Sequence, residues 1–150
     1  MNEKIFETSQ EEAKLRYAKA HGIIKIRPEV IKSIYDDKIA RGNVLSIAQA
    51  AGMMAVKNAA NLIPMAINVQ ILGSKVSFIK NYDYIECICE AQSVGSVDIE
   101  MEVITGVSLA LITIYEMCKS LDQGMSINEI KLIEKLNGVK NNRIENKEGQ

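Results

Sequence analysis

The stretch DIEMEVITGVSLALITIYEMCKSLD, residues 98–122, decides the fold because it contains the longest apolar run of the chain. Its apolar side chains recur at steps of three and four, the spacing of one helix face: Val103, Val107, Ala110 or Leu111, Ile114, Cys118 and Leu121. Ile104, Leu109 and Ile112 add apolar groups on the other sides. A helix that is apolar nearly all round is buried all round, in a core or between subunits, and the small Gly106 suits close approach by another backbone.

This run is too short to cross a membrane as a helix. Only 13 residues separate Glu102 from Glu116, whereas a spanning helix needs about 20 apolar residues. The N-terminus, MNEKIFETSQEEAKL, contains no apolar signal region. We therefore predict a cytoplasmic protein with no membrane association.

Charged side chains at the two ends of the helix indicate where chemistry could occur. At about 100° per residue, Glu102 and Glu116 lie within roughly 40° of each other around the helix, and Lys119 follows Glu116 by one turn. At about 1.5 Å per residue the two glutamates are roughly 21 Å apart, so one small pocket on one chain cannot easily use both. Sites at subunit interfaces that take one end from each copy are the natural arrangement.

Length and composition predict one domain without a nucleic-acid partner. The chain has 150 residues, of which 47% are hydrophobic, enough for one core. We place a single domain at 1–140 and a flexible tail at 141–150, where the sequence is polar. Lys and Arg number 18 against 19 Asp and Glu, and aromatic residues make up only 5%. Neither a basic surface nor a base-stacking platform is indicated.

The cysteines and the single histidine give no metal site. Cys87, Cys89 and Cys118 form an odd set without a Cys-x-x-Cys pair, which is typical of a reduced protein. Cys87 and Cys89 alternate in a predicted strand, so we assign them to the core. His21 precedes the first predicted strand and is expected on the surface, which excludes a histidine cluster. We predict no metal and no cofactor.

The remaining pattern gives the order β-α-(α)-β-β-α-β, the ferredoxin-like split arrangement of an α+β protein. Residues 9–21 are a short polar helix or a linker. The predicted strands and helices are a strand at 23–27, helices from Pro28 and from Val44 to Ile63, strands at 75–80 and 83–91, the long helix ending at Gly124, and a strand at 128–136. The antiparallel sheet carries its helices on one face, and the apolar surface of the long helix predicts an oligomer.

No general catalytic motif is present, so candidate chemistry rests on isolated charges. Arg41 lies directly ahead of a helix N-terminus, a position suited to phosphate. Lys57, Lys119 and Lys135 are further cations, and Glu116 lies one turn before Lys119. Two interpretations stay open: solvated surface lysines, or a polyphosphate cradle with a Glu116–Lys119 pair for proton transfer.

Two stretches, GNVLSIAQAAGMMAVKNAANLIP (42–64) and IEMEVITGVSLALITIYEMCKSLDQGM (99–125), closely resemble the molybdenum cofactor biosynthesis protein C family, MoaC. The likeness runs from about Arg16 to Lys135. It implies a ferredoxin-like fold and a homohexamer built as a trimer of dimers, with active sites at the dimer interface. The implied enzyme is a lyase, cyclic pyranopterin monophosphate synthase. It rearranges a GTP-derived cyclic triphosphate and releases pyrophosphate in molybdenum cofactor biosynthesis.

The resemblance also implies roles for individual residues. Lys119 takes the place of the main acid/base, Glu116 that of the catalytic aspartate, and Arg41 that of the first active-site lysine, so these three are the implied catalytic residues. The implied substrate-binding residues are Met65, Ala66, Ile67, Lys57, Glu100, Met101, Glu102 and Lys135.

The sequence departs from the family at the site while keeping the core. The family's Leu-Cys-His-Pro is here Met65 to Asn68, so Ile67 stands where the active-site histidine would be. Asn61 replaces an aspartate, and the glycine-rich loop after Lys135 becomes residues 136–139, Leu-Asn-Gly-Val. Two functions fit: an enzyme with a reduced site, or a catalytically impaired paralogue that binds a nucleotide or pterin or serves assembly.

Overall fold

The structure, a computed structural model, describes residues 14–137 and 140–143. In these residues the chain forms β1 (Lys14–Lys25), α1 (Pro28–Tyr35), α2 (Val44–Leu62), β2 (Ile71–Lys80), β3 (Tyr84–Gly95), α3 (Glu100–Cys118), β4 (Ser126–Asn137) and β5 (Lys140–Arg143). The sheet has the order β2-β3-β1-β4-β5, and all its neighbouring strands are antiparallel. This interleaving of two split β-α-β units confirms the predicted ferredoxin-like α+β fold with an extra helix.

Helix α3 forms the centre of the core, as its spacing predicts. Val103, Val107, Leu111 and Ile114 are fully buried, and the helix packs on β1, β3, β4 and α2. Leu121 was expected on the same face but is exposed. The reason is that α3 ends at Cys118 and the chain then turns, several residues before the predicted end at Gly124.

Helix α2 crosses α3 at two glycines. A Cβ atom on Gly52 would lie 3.0 Å from the carbonyl oxygen of Gly106, and one on Gly106 would lie 2.8 Å from Cγ2 of Val56. The predicted close approach at Gly106 is therefore confirmed, and its partner is α2 of the same chain. The predicted N-cap of α2 is also confirmed, because Asn43 accepts a hydrogen bond from the Ser46 amide at 2.9 Å.

One side of α3 is not covered by the residues that the structure describes. By length and composition α3 could cross a membrane, yet 56% of its most apolar window is buried inside the domain, as in the core helix of a soluble protein. Met101, Ile112 and Tyr115 are exposed in the single chain, so the core covers only part of the helix, and burial of the rest between subunits stays a prediction. With Thr105 and Ser108 they form a strip at helical spacing, which we call the α3 stripe.

The prediction of a helix or linker at 9–21 is wrong for residues 14–21, which belong to β1; residues 9–13 lie outside the described part. Ala18 and Ala20 face the core, and each pairs with both β3 and β4. The helix-forming composition is overridden because a central strand gains partners on both sides.

The prediction of a surface position for His21 is also wrong. Its side chain is about four-fifths buried on the helix-free face of the sheet, and Nδ1 lies 2.6 Å from Oε2 of Glu86. Flanking strands on both sides shield the ring from solvent. Cys87 and Cys89 are buried in the core with free thiols, as expected.

The start of the predicted tail at 141–150 is structured. Residues 141–143 lie in β5 and pair with β4, while 144–150 lie outside the described residues. A polar segment can extend a sheet because the ladder hydrogen bonds come from the backbone. The single-domain boundary at 140 stays a prediction.

Candidate active site

Three charged residues meet at the C-terminal end of α3, and we call them the acid–base cluster. Nζ of Lys119 lies 2.8 Å from Oε2 of Glu116, and Nη1 of Arg41 lies 3.5 Å from Oε1. The hydrogen bond from Lys119, with a smaller contribution from Arg41, holds the pKa of Glu116 below its usual value. Glu116 is therefore a carboxylate at neutral pH, held between two cations, and all three side chains are about half exposed.

Arg41 joins this cluster through the backbone of α3 as well. Its Nη1 donates a hydrogen bond of 2.9 Å to the carbonyl oxygen of Glu116, one of the last carbonyls of the helix, which have no partner within it. The sequence suggested that Arg41 would serve the N-terminus of α2, but there Asn43 caps the first turn. Arg41 instead binds the far end of α3.

A second charged group lies at the N-terminal end of α3, which we call the lysine–carboxylate cluster. Nζ of Lys135, on β4, is 2.9 Å from Glu100 and 3.7 Å from Asp98. The hydrogen bond to Glu100 raises the pKa of Lys135. Arg16, on β1, lies 3.5 Å from Asp98 and donates a hydrogen bond to the carbonyl of Gly95 at 2.9 Å.

Sequence reasoning missed Arg16 and Asp98 as members of this group. Both could be found only from the strand register, which brings the start of β1 beside the end of β3 and the end of β4.

Glu102 and Met101, between the two clusters, differ in exposure. Glu102 is only 4% exposed, and burial raises the pKa of its carboxyl group. A carboxyl group with a raised pKa can serve as a proton donor nearer to neutral pH. Met101 is exposed on the α3 stripe.

The other predicted substrate-binding residues lie outside both clusters. Lys57 is exposed on α2, and residues 65–67 follow that helix in an irregular segment. Met65 is 97% exposed and has a φ of 74°, and Ile67 is 60% exposed.

The two clusters are also far apart along α3. Glu100 and Glu116 are separated by about 24 Å along the axis. One chain therefore does not assemble all the predicted residues into one cavity. In the described part of the chain, no three His, Cys, Asp or Glu side chains gather closely enough to hold a metal ion.

These features define a ferredoxin-like α+β protein with an acid–base pair at one end of its central helix. The chain belongs to the MoaC family, whose model matches residues 5–138.

Named relatives agree with this assignment. A cyclic pyranopterin monophosphate synthase from Clostridium perfringens (strain SM101) is 45% identical over 82% of this chain and 79% of its own length. A probable cyclic pyranopterin monophosphate synthase from Pyrococcus furiosus is 39% identical over 89% of this chain and 90% of its own. The synthase from Peptoclostridium acidaminophilum is 42% identical over 82% of this chain and 78% of its own.

Proposed function

We propose that this protein is a cyclic pyranopterin monophosphate synthase, a lyase of molybdenum cofactor biosynthesis. Its substrate is a GTP-derived cyclic triphosphate, which it rearranges with release of pyrophosphate. The observation that carries the proposal is the pairing of Lys119 with Glu116 at 2.8 Å, at the two positions that correspond to the family's catalytic lysine and aspartate. The names and the extent of similarity of the relatives support the same activity.

In the proposed reaction Lys119 transfers protons and Glu116 orients it. A carboxylate beside an ammonium group keeps that group positioned and charged until it gives up its proton. Arg41 holds phosphate or the helix end through its guanidinium group and transfers no proton.

The other residues bind the substrate. Lys57 and Lys135 bind the phosphates of the substrate through their positive charges. Glu100, Met101 and Glu102 line the rest of the substrate. Met65, Ala66 and Ile67 contribute an apolar edge.

The working form in this proposal is a homohexamer, a trimer of dimers, in the cytoplasm. Two copies of α3 running in opposite directions would bring the acid–base cluster of one chain to the lysine–carboxylate cluster of the other. The separation of about 24 Å within one chain and the exposed Met101, Ile112 and Tyr115 of the α3 stripe support this arrangement.

A second candidate function follows from Ile67, which cannot exchange a proton. On this view the protein binds a nucleotide or pterin, or serves assembly, without completing the reaction. Its exposed apolar side chain is the specific observation in favour.

An assay of the purified protein with the cyclic GTP-derived intermediate separates the two functions. We expect pyranopterin formation that is lost in Lys119→Met and kept in Lys38→Met, whose exposed lysine lies outside both clusters. Wild-type protein that gives no product at high concentration, beside an active relative, would contradict the synthase and leave the binding function.

A further inference from the structure

A buried carboxylate lies just beyond the acid–base cluster, in the turn after α3. Asp122 is 6% exposed, and both of its oxygens are occupied. Oδ2 accepts a hydrogen bond from the Arg27 amide at 2.8 Å, and Oδ1 accepts one from the Gly124 amide at 2.9 Å. The Arg27 side chain in turn donates a hydrogen bond to the carbonyl oxygen of Leu121.

These contacts fasten two distant segments of the chain to each other. Arg27 directly precedes α1, whose first residue is Pro28, and Arg41 follows the same helix after a short turn. We call residues 27–41 the α1 strap. The strap contacts the end of α3 at both of its own ends: Arg27 binds Asp122 and Leu121, and Arg41 binds Glu116.

The end of α3 needs such an attachment because its own capping is weak. Lys119 is the C-cap and has ordinary right-handed helical angles, with φ of −61° and ψ of −25°, so no left-handed glycine closes the helix. The last turn carries Glu116 and Lys119, and both side chains are half exposed. The amides of Leu121 and Asp122 both bind the carbonyl oxygen of Cys118, so the turn follows the helix end closely, and the Asp122 side chain then fixes that turn to Arg27.

We propose that Asp122 is a positioning residue. Together with the α1 strap it fixes the last turn of α3, so that Glu116, Lys119 and Arg41 keep their relative positions. Asp122 touches no substrate in this account and acts through the two residues of the pair. The expected loss of turnover rests on the proposed synthase function, whereas the expected displacement of Glu116 and Lys119 does not. Catalytic pairs tolerate little displacement, since about 1 Å can cost about 100-fold in rate.

Open space around the turn gives it room to move when the attachment is lost. Two cavities of about 480 Å³ and 310 Å³ border it, and Arg27, Asp122 and Gly124 line both. A truncated Asp122 side chain would leave the amides of Arg27 and Gly124 accessible to water, so the chain can fold without the attachment. The loss of this attachment then appears as a displacement of Glu116 and Lys119.

The test uses full-length Asp122→Ala and Asp122→Asn, with Asp36→Ala as the matched control. Asp36 lies on the same strap, but its exposed carboxylate pairs with Lys32, four residues away. The first readout needs no activity: the carboxyl carbon of Glu116 is followed by NMR as the pH is lowered. We expect its midpoint to move up toward an ordinary glutamate in Asp122→Ala and to stay low in Asp36→Ala.

The second readout is turnover of the cyclic GTP-derived intermediate. We expect kcat to fall about 100-fold in Asp122→Ala with KM nearly unchanged, and about tenfold in Asp122→Asn, which keeps one acceptor oxygen. If the wild-type protein has no activity, the proposed function fails while the titration of Glu116 still decides the role of Asp122. A folded Asp122→Ala variant with the wild-type titration of Glu116 would overturn the inference.

Discussion

At the scale of single residues, the proposed site combines paired charges with an apolar side chain, Ile67, where the family resemblance implies an imidazole. Lys119 and Glu116 are three residues apart on α3, so any helical prediction brings them together. Arg41 is 75 residues from Glu116 along the chain, and no local pattern could reveal that contact.

Ile67→His should raise turnover if the exposed segment after α2 borders the site. A positioned general acid or base typically contributes 10²–10⁴-fold, so we expect kcat to rise by about tenfold or more. Steady-state kinetics on the cyclic intermediate would measure it, with Asn68→His as control. Equal rates for Ile67→His and wild type would show that the imidazole position does not reach the substrate in this chain.

Asp122 should make stability depend on pH in the acid range. The amides of Arg27 and Gly124 hold the pKa of Asp122 below its usual value. A carboxyl group whose pKa is lower in the folded than in the unfolded state stabilises the fold above its unfolded pKa, which is about 3.9 for aspartate. This stabilisation is lost as the pH falls through the pKa of the folded state.

We therefore expect Asp122→Asn to lower the free energy of unfolding by about 2 kcal/mol at pH 7, and by less below pH about 3. Urea titrations at both pH values would measure the two differences. If the loss of stability in Asp122→Asn were the same at both pH values, the shape of the side chain and not its charge would be its cause.

At the scale of helices and strands, the sequence predicts the elements with clear periodicity. The spacing along α3 and the alternation along β3 gave the correct type and buried faces. β1 was misjudged because Lys, Arg and Ala favour helices, whereas pairing with β3 and β4 decides its structure. Helix ends such as Cys118 depend on contacts with remote segments and could not be located.

The crossing of α2 and α3 should not tolerate a larger residue at Gly106. An added Cβ would lie 2.7 Å from Sγ of Cys89 and 2.8 Å from Cγ2 of Val56. Overpacking costs about 1–3 kcal/mol, which outweighs the gain of about 1 kcal/mol in helix propensity.

We expect Gly106→Ala to destabilise the fold by up to about 2 kcal/mol in thermal or urea unfolding. Gly73→Ala is the control, because among the described residues no atom beyond its two chain neighbours lies within 4 Å of its added Cβ. An unchanged stability for Gly106→Ala would mean that the two helices can separate without cost.

At the scale of the whole molecule, the proposed dimer makes each site depend on two chains. Lys119→Ala disables the acid–base cluster, and Lys135→Ala disables the lysine–carboxylate cluster. In co-expressed mixtures one site in four would pair an intact Lys119 with an intact Lys135, so about a quarter of wild-type activity should return. Each variant alone should be inactive.

The comparison requires that both variants assemble, which light scattering would check. Mixtures as inactive as the separate variants would place each complete site within a single chain.

The position of β1 at the centre of the sheet has a consequence for synthesis on the ribosome. Lys14 pairs with Gly95, and Arg16 pairs with Asn137. During synthesis one edge of β1 therefore stays unpaired until β3 has been made, and the other edge stays unpaired until β4 follows. Folding of this kind, dominated by contacts between distant segments, is slow, so we expect both edges of β1 to be open to incorrect pairing during this interval.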